Sequence, residues 1–199
     1  MRENIKIAAL KLFSENGFQG TTIKELAKEC GLKPSSIYSH YTSKEELYVE
    51  VWKVCINRIN VAISDIAINL KPENDFDEKE VLKKFFFRLI EFYSQNRQEY
   101  LFTKNTMLGH TLNQPLPKTT IIDFNKVSFY FGVIFSRLKN KKIISDIDNS
   151  KLTSMYITII LGYLEQNILF GINLEETDIE KIWNIFWFGI KNNDEIILE

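Results

Sequence analysis

The sequence predicts an all-α chain of about nine helices, and three observations predict it. Apolar residues recur at spacings of three and four along successive segments, which is the period of a helix face. Glycine and proline are sparse, 8 and 4 in 199 residues, too few for the turns of a sandwich or a barrel. Residues that start and stop helices stand at the breaks between the apolar segments. With 45% hydrophobic and 13% aromatic residues, the chain has the material for a real core and is not of disordered composition.

The first helix is read from Ile5, Ala8, Ala9, Leu12 and Phe13, one apolar face with Lys6, Lys11 and Glu15 opposite. Asn16-Gly17 predicts its end. Thr22 stands three residues before Glu25, the capping-box spacing, and opens a second helix over Ile23 to Cys30 that is too short to be stable alone. Gly31 closes it. Pro34 then suits the first turn of a third helix, where its missing N–H costs nothing. Two short helices joined by a glycine-containing turn, with another helix behind them, define a helix-turn-helix. Leu26, Ala27, Ile37 and Tyr41 should form its core with Leu12 and Phe13. Ser43, three residues before Glu46, predicts a second capping box and the start of a long fourth helix from Lys44 to about Asn69.

The charge is divided unevenly. Residues 1–44 hold seven cations and four anions, a net of +3, whereas the remainder holds 18 against 22, a net of −4, for a whole-chain charge of −1. A basic head on an acidic body has the sign expected of a DNA binder. On the third helix, Lys33, Pro34, Ser35, Ser36, Ser39 and His40 offer a cation and short hydroxyls that fit a major groove. Thr22, Tyr38 and His40 are placed to reach flanking phosphates.

The run Thr21-Thr22-Ile23-Lys24-Glu25-Leu26-Ala27-Lys28-Glu29-Cys30-Gly31, followed by Ser36-Ile37-Tyr38-Ser39-His40-Tyr41-Thr42-Ser43-Lys44-Glu45-Glu46-Leu47, resembles the N-terminal signature of TetR-family regulators. The resemblance covers roughly residues 5–50. It implies a third helix that reads bases, with Thr22, Tyr38, His40 and Lys44 near the DNA backbone. Two departures stand out. Lys33-Pro34 replaces the more usual small-polar-then-basic pair, so base preference does not transfer. Tyr41 replaces the commoner phenylalanine, and its hydroxyl needs a partner or a path to water.

The expected division is a DNA-binding domain over residues 1–46 and a helical ligand-binding and dimerisation domain over 47–199. Breaks are expected at Asn69–Asp77, Gln95–Arg97, Asn113–Pro117, Asn140–Lys142 and Gly171–Glu176. The segment Val81 to Tyr93 is apolar over more than one stripe and belongs in a central position. Two late segments carry two apolar faces each, and a second copy of the same helix pair would cover the face left over. Tyr156, Ile160, Tyr163, Trp183, Phe186 and Trp187 are the candidate interface residues of a homodimer. The family's dimers commonly use their last two helices in this way.

No catalytic frame stands in the sequence. His40 and His110 have no metal-binding spacing, Cys30 and Cys55 form no CxxC, and the glycines make no phosphate loop. The expectation is therefore a non-enzyme with no metal and no cofactor, its cysteines free thiols. With no export signal and no apolar run long enough to span a bilayer, a cytoplasmic location without membrane attachment is expected. The partners expected are a pseudo-palindromic DNA operator and a second copy of the chain. A small apolar or aromatic effector is expected on the family resemblance and the aromatic richness, with Phe86, Tyr93, Phe102, Met107, Phe131, Tyr163 and Gln166 as candidate pocket residues. The alternative is a regulator whose C-terminal domain binds a protein partner and no small molecule.

Overall fold

The computed structural model describes residues 1–67, 76–110, 120–172 and 175–192, except for the side chains of 65, 67, 107–110 and 120–128. Its described residues form ten helical segments, and its one β-pairing there is an isolated antiparallel bridge between Ile144 and Lys191. The segments are α1 (Arg2–Gly20), α2 (Ile23–Glu29), α3 (Pro34–Tyr38), α4 (Lys44–Ala62), the single turn α5 (Ser64–Ala67), α6 (Glu78–Gln95), α7 (Arg97–His110), α8 (Thr120–Asn140), α9 (Asn149–Phe170) and α10 (Glu176–Ile190). Setting the single turn aside leaves the nine helices that the periodicity predicts.

The local signals act where the sequence places them. Gly17 has a φ of 70° and interrupts α1, a conformation that side chains with a Cβ resist. At the start of α2, Thr22 accepts from the Glu25 N–H, and the Glu25 carboxylate accepts from the Thr22 N–H and hydroxyl. Gly31, at φ 65°, turns the chain between α2 and α3, and Pro34 opens α3. Asp148 caps α9 through the N–H groups of Ser150 and Lys151. Gly171 ends that helix in the left-handed conformation, with the Ile172 N–H reaching back to the Gln166 carbonyl.

Two expectations need correction. The second capping box is shifted by one residue: the Glu46 N–H does find the Ser43 hydroxyl, but the Glu46 carboxylate accepts from the N–H and hydroxyl of Thr42, at 2.6 Å each. The fourth helix does not run unbroken to Asn69. It stops at Ala62, the chain turns at Ile63, and the Ala62 carbonyl accepts instead from the Arg88 guanidinium at 3.2 Å.

The chain folds into two compact units, Met1–Val61 with Gln95–Thr120, and Ala62–Ser94 with Ile121–Glu199. This differs from a single cut at residue 46, because Leu47, Tyr48, Val51, Trp52 and Cys55 bury their side chains in the first unit's core beside Phe13, Leu26, Ile37 and Phe102. In that unit α7 packs along α1, and α2 packs on both α1 and α3. Tyr48 is the hub of an aromatic cluster, with ring centroids 4.9, 5.0 and 5.1 Å from Phe13, Phe18 and Phe102. Edge-on contacts at these separations add to the gain from burial alone.

The second unit is centred on Tyr156. Its ring lies 5.0 Å from Phe131 and 5.4 Å from Phe186, and its hydroxyl donates to the Leu82 carbonyl at 2.6 Å. Burial raises the Tyr156 phenol well above its ordinary pKa. Two further links tie this unit together. The buried carboxylate of Glu78 holds Arg137 and Lys141, and the end of α10 is clipped to the α8–α9 connection by the Ser145 N–H on the Ile190 carbonyl and the Asn192 N–H on the Ile143 carbonyl.

Candidate nucleic-acid interface

The candidate surface is built on one buried pivot. Ile37, fully buried, anchors α3 against Leu26 and Ala27 of the same core. Because successive helical residues diverge by 100°, anchoring Ile37 turns Ser35 and Ser39, two positions to either side, to the opposite face; Tyr38, Pro34 and the N-cap Lys33 are exposed as well. Ser36 and His40 are half-buried. Tyr38 is the large apolar residue of this surface, 55% exposed. Ser39 donates to the Ser36 carbonyl at 2.8 Å, which fixes its hydroxyl while leaving its oxygen an acceptor. Thr22, at the entrance of α2, is exposed as well. Eight of the nine residues expected to meet DNA thus share one sequence-contiguous stretch of the head, Thr22 to His40, built on α2 and α3.

Lys44 is the ninth, and the structure gives its ammonium group to the protein itself. It donates to the carbonyls of Phe18 and Thr21, both at 2.8 Å, and lies 4.2 Å from the centroid of the Phe18 ring. Neither partner is near Lys44 in sequence, so no local signal announces this.

Arg2 was not singled out by the sequence, yet it meets the other end of the motif. Its guanidinium donates to the His40 carbonyl at 3.1 Å and lies 5.2 Å from the Tyr41 ring centroid. The Tyr41 hydroxyl, buried with its ring, reaches the Arg2 carbonyl at 3.5 Å, a long contact. An ion pair between Lys11 of α1 and Glu29 of α2 at 2.6 Å closes the far side of α2. Its hydrogen bond raises the Lys11 pKa. The Thr22 hydroxyl and N–H lower that of Glu25, so the capping carboxylate is ionised at neutral pH.

The residues expected to line a ligand pocket divide between the two units. Phe86, Tyr93, Phe131 and Tyr163 are buried in the second unit, and Gln166 is exposed. Phe102 belongs to the head's aromatic cluster, because α7 packs there, and the side chain of Met107 lies outside the described residues.

The six candidate interface residues are also placed differently from their expected role. Tyr156, Ile160, Tyr163, Trp183, Phe186 and Trp187 are each 5% exposed or less, buried within the second unit. They have almost no surface left to give a partner. The apolar surface that α9 and α10 leave uncovered is carried by Met155, Leu161, Leu169 and Phe170 and by Ile185 and Phe188.

Among the described residues no group of three or more histidine, cysteine or acidic side chains is placed to hold a metal ion, and no helix is long and apolar enough to cross a membrane.

The fold and this surface define an all-α protein with an N-terminal helix-turn-helix head and a helical body. Residues 7–51 match the family model described as bacterial regulatory proteins, tetR family. The chain is 30% identical over 116 residues to the biofilm operon icaADBC HTH-type negative transcriptional regulator IcaR of Staphylococcus epidermidis, a match covering 58% of this chain and 59% of that protein. It is 38% identical over 60 residues to IcaR of Staphylococcus aureus strain Newman, covering 30% and 32%. The matches thus span about three fifths and one third of these relatives' lengths.

The solved structures extend the likeness over the whole fold. A TetR family transcription regulator from Marinobacter aquaeolei VT8 superposes with a TM-score of 0.73 at 16% identity, covering 96% of each chain. The ketosteroid transcriptional regulator KstR2 of Mycobacterium tuberculosis gives a TM-score of 0.73 at 18% identity, covering 96% of this chain and 94% of that one. Residues 7–51 are thus similar to the head of TetR-family regulators, and the chain has the fold of these solved structures.

Proposed function

We propose that this chain is a sequence-specific DNA-binding transcriptional regulator, a homodimer that represses from a pseudo-palindromic operator. The observation that carries the proposal is the exposed polar surface at α3 and its caps, Lys33, Ser35 and Ser39 with Tyr38 beside them, on a helix anchored by the buried Ile37. Short hydroxyls and a cation at the start of a helix fit a major groove, and Tyr38 and Thr22 stand where phosphates flank it. The basic balance of residues 1–44 supports the same partner. Repression is favoured by the similarity to IcaR, which is described as a negative regulator.

Release by a small apolar or aromatic ligand completes the reading, supported by the aromatic richness of the body around Phe86, Tyr93, Phe131 and Tyr163. Such a ligand dissociates DNA only by binding the non-DNA conformation more tightly.

The test is fluorescence-anisotropy titration of the protein on duplexes from its own upstream region and from random-sequence selection, over a salt series. The expected result is tight, salt-sensitive binding that prefers one sequence and is weakened about tenfold by Tyr38→Ala, the cost of a lost polar contact. Equal weak binding to every duplex, with no sequence enriched by selection, overturns the proposal.

A further inference from the structure

We infer that Lys44 is a positioning residue for DNA recognition, holding the α1–α2 turn and through it the entrance of α2; the inference rests on the DNA-binding function proposed above. A lysine in the first turn of α4 opposes the helix dipole, so helix formation does not account for it. Its surroundings do. Lysine has three N–H donors. Two are committed to the Phe18 and Thr21 carbonyls at 2.8 Å, and the charge stands 4.2 Å from the Phe18 ring centroid.

These carbonyls belong to a turn whose backbone leaves the helical conformation at Gly17, so the helical ladder no longer serves its polar groups. The same turn is stitched on its inner side by the fully buried Thr21, whose hydroxyl reaches the Gly17 carbonyl at 2.8 Å and the Leu12 carbonyl at 3.1 Å. Lys44 and Thr21 together serve the carbonyls of Leu12, Gly17, Phe18 and Thr21. The next residue, Thr22, is the N-cap of α2, and α2 packs on α3. Lys44 therefore acts on the reading surface through the turn, and the protein itself occupies two of the donors that a phosphate contact would use.

The two roles, and a third in which Lys44 only stabilises the fold, have different signatures. A phosphate contact contributes alike to every DNA sequence and to the salt dependence of binding. A positioning residue sharpens the fit to the preferred sequence and leaves the number of neutralised phosphates alone. A purely structural residue changes the melting temperature and neither affinity of the folded protein.

The experiment compares wild type with Lys44→Met, which keeps the aliphatic stem and removes the donors, on the selected duplex and on a scrambled one. Each titration is repeated across a salt series, at a temperature where circular dichroism shows the variant folded. The expected result is about a tenfold loss of affinity for the selected duplex, the loss of one charge-assisted hydrogen bond's worth of fit, with scrambled-DNA affinity and the log–log salt slope unchanged. An equal loss on both duplexes with the slope smaller by about 0.9 makes Lys44 a phosphate contact and overturns the inference. A lower melting temperature with both affinities intact makes it structural and overturns it equally.

If Lys44→Met does not fold, Lys44→Gln carries the same comparison, since it removes the charge and keeps a donor. The expected result is then a smaller selective loss, and a reduced slope is again the overturning one. Wild type that fails to distinguish the two duplexes fails the parent proposal, which is visible before any variant is made and takes this inference with it.

Discussion

The hydroxyl of Tyr48 in α4 lies 2.6 Å from the hydroxyl of Thr106 in α7, and both are buried. Thr106 has one proton and gives it to the Phe102 carbonyl at 2.7 Å, so Tyr48 donates and Thr106 accepts. Four residues before Thr106, Phe102 sits in the aromatic cluster of Phe13, Phe18 and Tyr48, and Asn105 donates to the Ser14 carbonyl at 3.1 Å. A helix expected in the body thus supplies part of the head's core.

The Tyr48–Thr106 link makes a measurable prediction. Tyr48→Phe and Thr106→Val are each expected to cost about 1 kcal/mol, the net value of a buried hydrogen bond. The double variant is expected to cost less than the two together, with a coupling energy of about 0.5–1.5 kcal/mol, since the residues share one interaction. Urea unfolding of the four proteins checks this. Strict additivity would show that the two hydroxyls do not act on each other in solution.

The two cysteines should differ sharply in reactivity. Burial pushes the Cys55 thiol up to about 12, and the nearby Arg58 only partly offsets it; Cys30 is also raised by burial but is half-exposed. A thiol reagent at pH 8 is expected to label Cys30 in the native protein and Cys55 only after unfolding. The same burial has a consequence for alkaline stability. Between the unfolded thiol's value near 8.5 and the folded value of about 12, the native state holds a proton that the unfolded state has lost, so stability falls as pH rises. The slope is about 1.4 kcal/mol per pH unit. Cys55→Ala removes this component, so its stability should decline less steeply than wild type between pH 9 and pH 10.5. Parallel curves would refute the assignment.

The features legible in the sequence share one property: the residues that cause them are neighbours. Thr22 and Glu25, Gly17, Gly31 and Pro34 act within a turn of themselves, and each falls at the expected boundary. What the sequence hid depends on partners far along the chain. Lys44 finds carbonyls 23 and 26 residues away, and Ala62 ends α4 with a donor 26 residues on. Phe102 meets Tyr48 across 54 positions. The inward faces of α9 and α10 were hidden for another reason. Both carry apolar residues most of the way round, so periodicity alone cannot say that Tyr156 and Trp183 turn inward while Leu161 and Ile185 turn out.

Glu78 concentrates the electrostatics of the second unit. Only 3% exposed, it accepts from Arg137 Nε at 2.7 Å and from Lys141 Nζ at 2.9 Å on both oxygens, and the Arg137 guanidinium lies 4.2 Å from the Phe76 ring centroid. Burial alone would raise its pKa, but the hydrogen bonds from Lys141, its own backbone and Arg137 outweigh it and leave the carboxyl below the usual range. Glu78→Gln is expected to destabilise by about 2 kcal/mol at pH 7, the scale of a charge-assisted hydrogen bond lost from a partly screened pair. Because the folded value is depressed, the contribution is complete above the unfolded carboxylate's value near 4.3 and is lost as pH falls through the folded one. Denaturant unfolding of both proteins from pH 7 to pH 3 should therefore show the gap closing only at the acid end. A gap that stays constant would mean the substitution acts through packing.

The apolar surface of α9 and α10 supports the last prediction. Ile185 and Phe188 are 73% and 63% exposed, with Met155 and Leu161 exposed on α9, whereas Trp183 and Phe186 beside them are buried. Helical spacing puts Ile185 one turn before Phe188, a pair on one face. Apart from the nearby backbone of their own helices and their chain neighbours, Gly189 and Gly162 have no atom within 4 Å of where a Cβ would stand, so neither glycine makes room for another part of its own chain, and both leave space through which a second helix can approach. A second copy of the chain would cover this face and remove apolar area from water on both sides of a two-fold axis. Sedimentation equilibrium is expected to give twice the 23.4 kDa chain mass for wild type. Phe188→Glu, at an exposed site that the protomer's own core does not use, is expected to sediment at the single-chain mass while keeping its helical circular-dichroism signal. On the proposed reading of two half-sites at once, the same variant should also lose most of its operator affinity. A wild type at 23.4 kDa would show that no second copy covers this face, and a variant that stays double would place the contact between copies elsewhere.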